Sequence, residues 1–92
     1  MSNKKFLGRD ALASDETAMS YYRQDNAVLA ECWGDVRTLT PQDAVYELEF
    51  MLAGERRVYA IDGDNICLRR EQAIIATIRA LKNEFPSVEV TA

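Results

Sequence analysis

The chain has no histidine, only two cysteines and two prolines among 92 residues, and no run of about 18 apolar residues. Each shortage excludes a class of function. Without histidine the usual near-neutral general base is missing, and so is a principal nitrogen ligand for zinc. Cys32 and Cys67 are not in CxxC spacing, and with two thiols and no imidazole a structural zinc would have to recruit carboxylates, so neither metal nor cofactor is expected. Both cysteines read as small buried apolar side chains within strands. The absence of a long apolar run, and of a charged-then-apolar N-terminal segment, leads us to expect no membrane span, no secretory leader and a cytoplasmic location.

Basic residues are also in deficit. Lys and Arg number 11 against 15 Asp and Glu, a formal charge of -4, which opposes binding of duplex DNA by the molecule as a whole. Any nucleic-acid contact must be local. The apolar share of 48% and charged share of 28% belong to a folded globular chain rather than a disordered one, and the length suits a single small α+β domain over residues 1–92.

What is present is best defined from Arg56 to Phe85, RRVYAIDGDNICLRREQAIIATIRALKNEF. Val58 to Ile61 and Ile66 to Arg69 are short runs rich in β-branched and apolar residues. Between them lies Asp62-Gly63-Asp64-Asn65, whose residues tolerate positive φ, so the segment reads as a β-hairpin. Setting Ile61 opposite Ile66 places Val58 against Arg69, Arg57 against Arg70 and Arg56 against Glu71. Four arginines, Arg56, Arg57, Arg69 and Arg70, then gather at the open end of the hairpin. Ile74, Ile75, Ile78, Leu81 and Phe85 mark the buried stripe of a following helix that Pro86 stops. Ser87 to Thr91 turns Val88 and Val90 inward, as a half-buried strand does.

Upstream, residues 1–13 have no period and read as a loosely ordered arm, reaching as far as residue 20, with local positive charge at Lys4 and Lys5. Residues 14–24 stay open between a short helix capped by Ser14 and a strand at Tyr21 to Arg23 that turns at Asp25-Asn26. Ala27 to Trp33 is a buried strand with Val28, Ala30 and Cys32 on one face and Leu29, Glu31 and Trp33 on the other. Thr40-Pro41-Gln42-Asp43 opens a helix, with Thr as cap and Pro in the first turn, and Gly54 closes it. Ala44, Val45, Leu48, Met51 and Leu52 face its core side, leaving Asp43, Tyr46, Glu47 and Phe50 as the outer stripe. The order from Ala27 is β-α-β-β-α-β, that of the ferredoxin-like split βαβ. It predicts an antiparallel sheet with two helices on one face and the other face open, preceded by the N-terminal arm.

Two sets of residues are candidates for binding. Arg69 and Arg70 at a helix start oppose the macrodipole, and with Arg56 and Arg57 they make forks suited to phosphate or carboxylate. Glu55 and Glu71 are placed to neutralise the same cluster into a solvated face. The stripe of Asp43, Tyr46, Glu47 and Phe50 is either an acidic and aromatic surface for a protein partner or packing beneath the N-terminal arm. Asp62-Gly63-Asp64-Asn65 lacks the further ligands of a calcium loop and reads as a turn. With no glycine-rich phosphate loop and no convergent spacing of Asp35, Asp62 and Asp64, an enzyme is not expected. The aromatic signature of RNA-binding modules with this element order is missing from Ile66 to Arg69, which leaves Tyr59 and Trp33 for any base stacking.

Short, acidic, histidine-free and single-domain, the chain resembles the phage anti-CRISPR proteins of the type I-F group over its whole length, from MSNKKFLGRD to FPSVEVTA. That resemblance implies a non-enzymatic inhibitor in the cytoplasm of the infected bacterial host. It would bind the crRNA-guided CRISPR-Cas ribonucleoprotein and block target DNA from hybridising or docking. Arg56, Arg57, Arg69 and Arg70 would then meet crRNA phosphates or acidic surface of the Cas proteins, and Asp43, Tyr46, Glu47 and Phe50 the basic DNA-binding surface. The residues themselves leave a second reading open: a small regulatory or assembly domain that homodimerises through its open sheet face and binds an anionic ligand at the arginines.

Overall fold

The helix start at Thr40 is where the architecture turns from sheet to helix. In the computed structural model, which describes residues 3–11 and 18–91, the described strands all precede it and both helices follow. They are β1 (Lys5–Arg9), β2 (Ser20–Gln24), β3 (Ala27–Cys32), β4 (Asp35–Leu39), α1 (Pro41–Asp62) and α2 (Asn65–Glu84). The strands make an antiparallel sheet in the order β1-β2-β3-β4. The α+β class and the antiparallel sheet covered by two helices are as expected. The succession of the elements differs from β-α-β-β-α-β.

Val28 and Ala30 of β3 are buried and face the helices with Tyr21 of β2, as their alternation requires. Asp25, at φ 56, turns β2 into β3, so Tyr21 to Arg23 takes the strand alternative. The Ser14 cap of the competing helix falls in residues 12–17, outside the described residues. Lys5–Arg9, expected within a loose arm, is an edge strand paired with β2 and buries Leu7. Its pairing register shifts between Phe6 and Gly8, which hides the alternation a reader of sequence would look for.

Thr40 accepts a hydrogen bond from the Asp43 N–H at 3.1 Å, and Pro41 follows it as expected. Gly54, expected to close the helix, lies inside it. A glycine in a helix interior costs only about 1 kcal/mol against alanine, and Glu55, Arg56, Arg57 and Ala60 carry the helix on. The stop is Gly63, left-handed at φ 67, whose N–H bonds to the Tyr59 carbonyl at 2.8 Å. Asp64 then caps α2, accepting from the Ile66 N–H at 2.9 Å. The expected β-hairpin is therefore the junction of two helices, with Val58 to Ile61 ending α1 and Ile66 to Arg69 beginning α2. Cys67 is accordingly buried on a helix, not a strand, while Cys32 sits half-buried in β3; both are free thiols.

Leu7, Tyr21, Val28 and Ala30 from the sheet meet Ala44, Val45, Leu48 and Leu52 from α1, and Ile74, Ile78 and Leu81 from α2. Burial pushes the Tyr21 phenol well above its ordinary range, and the charges of Glu47 and Asp10 add to the effect. After Phe85, which ends α2 before Pro86, Val88 and Val90 turn inward as expected, but Ser87 to Thr91 forms no strand. Side chains of α1 take the place of a neighbouring strand. Gln42 exchanges two hydrogen bonds with the backbone of Glu89, at 2.9 and 2.8 Å, and Glu49 accepts from the Thr91 N–H at 2.7 Å.

Helices of 22 and 20 residues run for about 30 Å, against about 17 to 20 Å for strands of this length. They outrun the sheet, and the molecule measures 45 × 28 × 16 Å. Residues 53–73 make a two-helix arm in which Cys67 alone is buried. Among the described residues, no helix is long and apolar enough to cross a membrane.

Candidate functional site

All four arginines lie on the arm, but they do not share one site: Arg57 and Arg70 line one cleft and Arg56 another, with Ile75 and Arg79. Positions equidistant from a reversal approach one another whether the hairpin is built of strands or helices, so Arg56 still meets Glu71, its Nε 3.0 Å from a carboxylate oxygen. Arg70 lies 3.8 Å from Glu55. Arg57 and Arg70 line the same cleft, of about 630 Å³, with Glu55, Val58 and Ile61. Two of the four cations thus face the acids that stood to neutralise them; Arg57 shares its cleft with Asp10 and Glu55 without an ion pair among the described residues, and Arg69 forms none there either. Arg69 and Arg70 sit beyond the first turn of α2, where opposition to the macrodipole has faded.

The sequence pattern does not bring out the apolar tip of the arm. Ile61 is 83% exposed, and Val58 and Ile66 are each 45% exposed, with Tyr59 and Leu68 partly open as well. In a β-hairpin alternate side chains would have turned inward; on helix ends beyond the sheet they ring the tip. The signal that could have revealed this was Glu55, Arg56 and Arg57 directly after Gly54, good helix formers that extend α1 into the run.

The outer stripe of α1 is split. Tyr46 and Phe50 are exposed, at 50% and 74%, and Asp43 is exposed in the first turn. β1 packs against α2 instead of over them, where the Thr77 hydroxyl reaches the Arg9 carbonyl at 2.8 Å. Glu47 leaves the expected stripe: it is half-buried, accepts from the Tyr21 hydroxyl at 3.4 Å and pairs with Arg37. It is a bracket between sheet and helix.

On the sheet face turned away from the helices, Phe6 meets Tyr22 edge-on with ring centroids 5.5 Å apart. Lys4 lies over Tyr22 at 4.8 Å and pairs with Glu31 at 3.1 Å. Trp33, 73% exposed, stands in the turn after β3, and Tyr59 is on the arm. The two aromatics considered for base stacking are therefore on different parts of the molecule. Among the described residues no three His, Cys, Asp or Glu side chains converge as metal ligands would.

No protein-family model, curated protein or solved structure matches the chain.

Proposed function

We propose that this protein is a non-enzymatic inhibitor that binds a type I-F crRNA-guided surveillance complex in the host cytoplasm and prevents target DNA from binding. The observation that carries the reading is the arm: two helices held out past the sheet, with exposed apolar side chains at the tip and four arginines behind it. A folded chain that leaves Ile61 in water keeps a surface whose burial on a partner would be favourable by about 2 kcal/mol for that one side chain. Arginine and tyrosine are enriched among the anchors of protein interfaces, and the arm carries four arginines and the exposed Tyr59. Tyr46 and Phe50 supply a second apolar surface for the same partner.

The alternative, an anionic-ligand domain, draws less support, because Glu71 and Glu55 occupy Arg56 and Arg70. A mobility-shift assay tests the proposal. Near-stoichiometric protein, added to a purified type I-F complex before target DNA, abolishes the DNA shift. An unchanged shift, with no co-migration of the protein, removes the reading. A rise in Tm with inorganic phosphate alone would favour the ligand domain instead.

A further inference from the structure

We propose that a second copy of this chain pairs with β4, edge to edge and antiparallel, so that two four-stranded sheets become one. The inference does not rest on the inhibitor reading and does not involve the arm. β4 has one neighbour among the described residues, β3, and Asp35, Val36, Arg37 and Thr38 are all exposed. Its pairing groups can be placed. Trp33 and Gly34, at φ 54 and 81, make a two-residue hairpin turn whose flanking residues, Cys32 and Asp35, are hydrogen-bonded to each other. Alternation along an antiparallel ladder then turns the N–H and C=O of Val36 and Thr38 away from β3, to the open edge. What such a row of groups accepts is another strand.

The two edges of the sheet are not alike. β1 carries Lys5, its register shifts between Phe6 and Gly8, and its Arg9 carbonyl accepts from the Thr77 hydroxyl of α2. Lysine, a bulge and a helix laid alongside are ways in which an edge is closed. β4 has no lysine, proline or register shift; it has Asp35 and Arg37, two positions apart and so on one face. Charges keep unrelated strands off an edge, but these two answer each other in a copy. With Val36 opposite its own counterpart, the free backbone groups meet, and Asp35 falls opposite Arg37 on both sides of the two-fold axis, in the positions where side chains come closest. Sliding the pair by one step of the ladder sets Arg37 against Arg37, which like charge disfavours. Charge thus selects both the occupant and the register. The Arg37 guanidinium already bonds Glu47, and its remaining donors are free to take the second carboxylate. The same register brings Trp33, 73% exposed, opposite Leu39 at each end.

Sedimentation velocity over a concentration series of the full chain tests the proposal. The wild type passes from monomer to dimer as concentration rises. Asp35→Lys, which sets lysine against arginine at both pairs, weakens the dimer roughly tenfold or more with an unchanged circular dichroism spectrum. A wild type that stays monomeric throughout, or a dimer indifferent to Asp35→Lys, overturns the inference. Oxidative cross-linking reads the register without touching a charge. Val36→Cys joins two copies through a disulfide between the residues at position 36, distinguished by peptide mapping from any that involves the native Cys32 or Cys67, and Thr38→Cys does not. Absence of that product, or linkage through position 38 as readily, as pairing in another register or through the open sheet face would give, also overturns it. The DNA mobility shift decides the inhibitor reading separately.

Discussion

The proximal and distal halves of the helical hairpin share two helices and differ in what they bury. Next to the sheet, Ala44, Val45, Leu48 and Leu52 face Ile74, Ile78 and Leu81 across a closed core. Beyond it, over residues 53–73, Cys67 is the one buried side chain, and Ile61, Val58 and Ile66 are left in water. Helix stability in proteins comes mainly from packing an apolar face. The proximal half therefore holds the fold, and the distal half is held by it. Substitutions should separate the two halves accordingly. Leu48→Ala, at a fully buried site, costs about 2 to 5 kcal/mol in denaturant unfolding, whereas Ile61→Ala stays within about 0.5 kcal/mol. Comparable losses at both positions would mean that the arm shares the core's cooperativity and the contrast is wrong.

The seam between β1 and α2 gives the next largest effect. A Cβ built on Gly8 would lie 2.2 Å from the Thr77 hydroxyl oxygen and 3.0 Å from its Cβ, at a φ of 156. Thr77 is itself buried, and its hydroxyl lies within hydrogen-bonding distance of the Arg9 and Ala73 carbonyls. The clash cannot be relieved by swinging a loose side chain aside. Gly8→Ala should cost about 1 to 3 kcal/mol by overpacking, again measured by denaturant unfolding. Gly8→Ala combined with Thr77→Ala should recover part of that loss. No recovery would place the strain in the strand rather than in the seam.

How much of this was legible in the chain depended on whether a local signal had one structural meaning. Thr40-Pro41 and Phe85-Pro86 did, because a hydroxyl cap before proline and a residue before proline each act on the backbone directly. Val28 and Ala30 did too, since a run bounded by turn residues has little choice but to alternate. Asp62-Gly63-Asp64 did not. A left-handed glycine followed by a capping aspartate ends one helix and starts another, and the same residues close a β-hairpin. The flanking runs of four residues are too short to distinguish a period of 2 from one of 3.6. The Arg56–Glu71 pairing holds all the same, because these two positions meet across either kind of hairpin. The apolar tip did not, since a strand and a helix expose different side chains of the same run. Glu47 was misread for another reason: its partners, Tyr21 and Arg37, are distant in sequence.

Gly54 offers a milder way to sharpen the contrast. It lies within α1, and a Cβ there would meet nothing within 4 Å. Gly54→Ala should stabilise the protein by about 0.5 to 1 kcal/mol by restricting the unfolded chain and favouring helix. Slower amide exchange should follow over residues 55–62, with little change in the sheet. A destabilised variant would show that the glycine serves a contact the arm makes on folding.

The smallest effect is expected from acid, and it falls in the body. Glu84 at the end of α2 receives a hydrogen bond from Lys5 at 2.9 Å and pairs with Arg23 at 3.5 Å, tying the helix to β1 and β2. The Lys5 hydrogen bond, aided by the charges of Lys5 and Arg23, holds the Glu84 carboxyl below its ordinary range. A carboxylate whose folded pKa is depressed binds its proton more readily when unfolded. Its contribution is therefore present above the unfolded value and is lost as pH falls through the folded one. Both side chains of the Lys5 pair are partly exposed, and salt weakens such a pair. Melting curves from pH 7 down to about pH 3 should show a shallower loss of Tm for Glu84→Gln than for the wild type, with the difference shrinking in high salt. Parallel curves would mean that the clasp on Glu84 contributes nothing to the stability of the body, leaving the join of α2 and sheet to the apolar core and the Gly8–Thr77 seam.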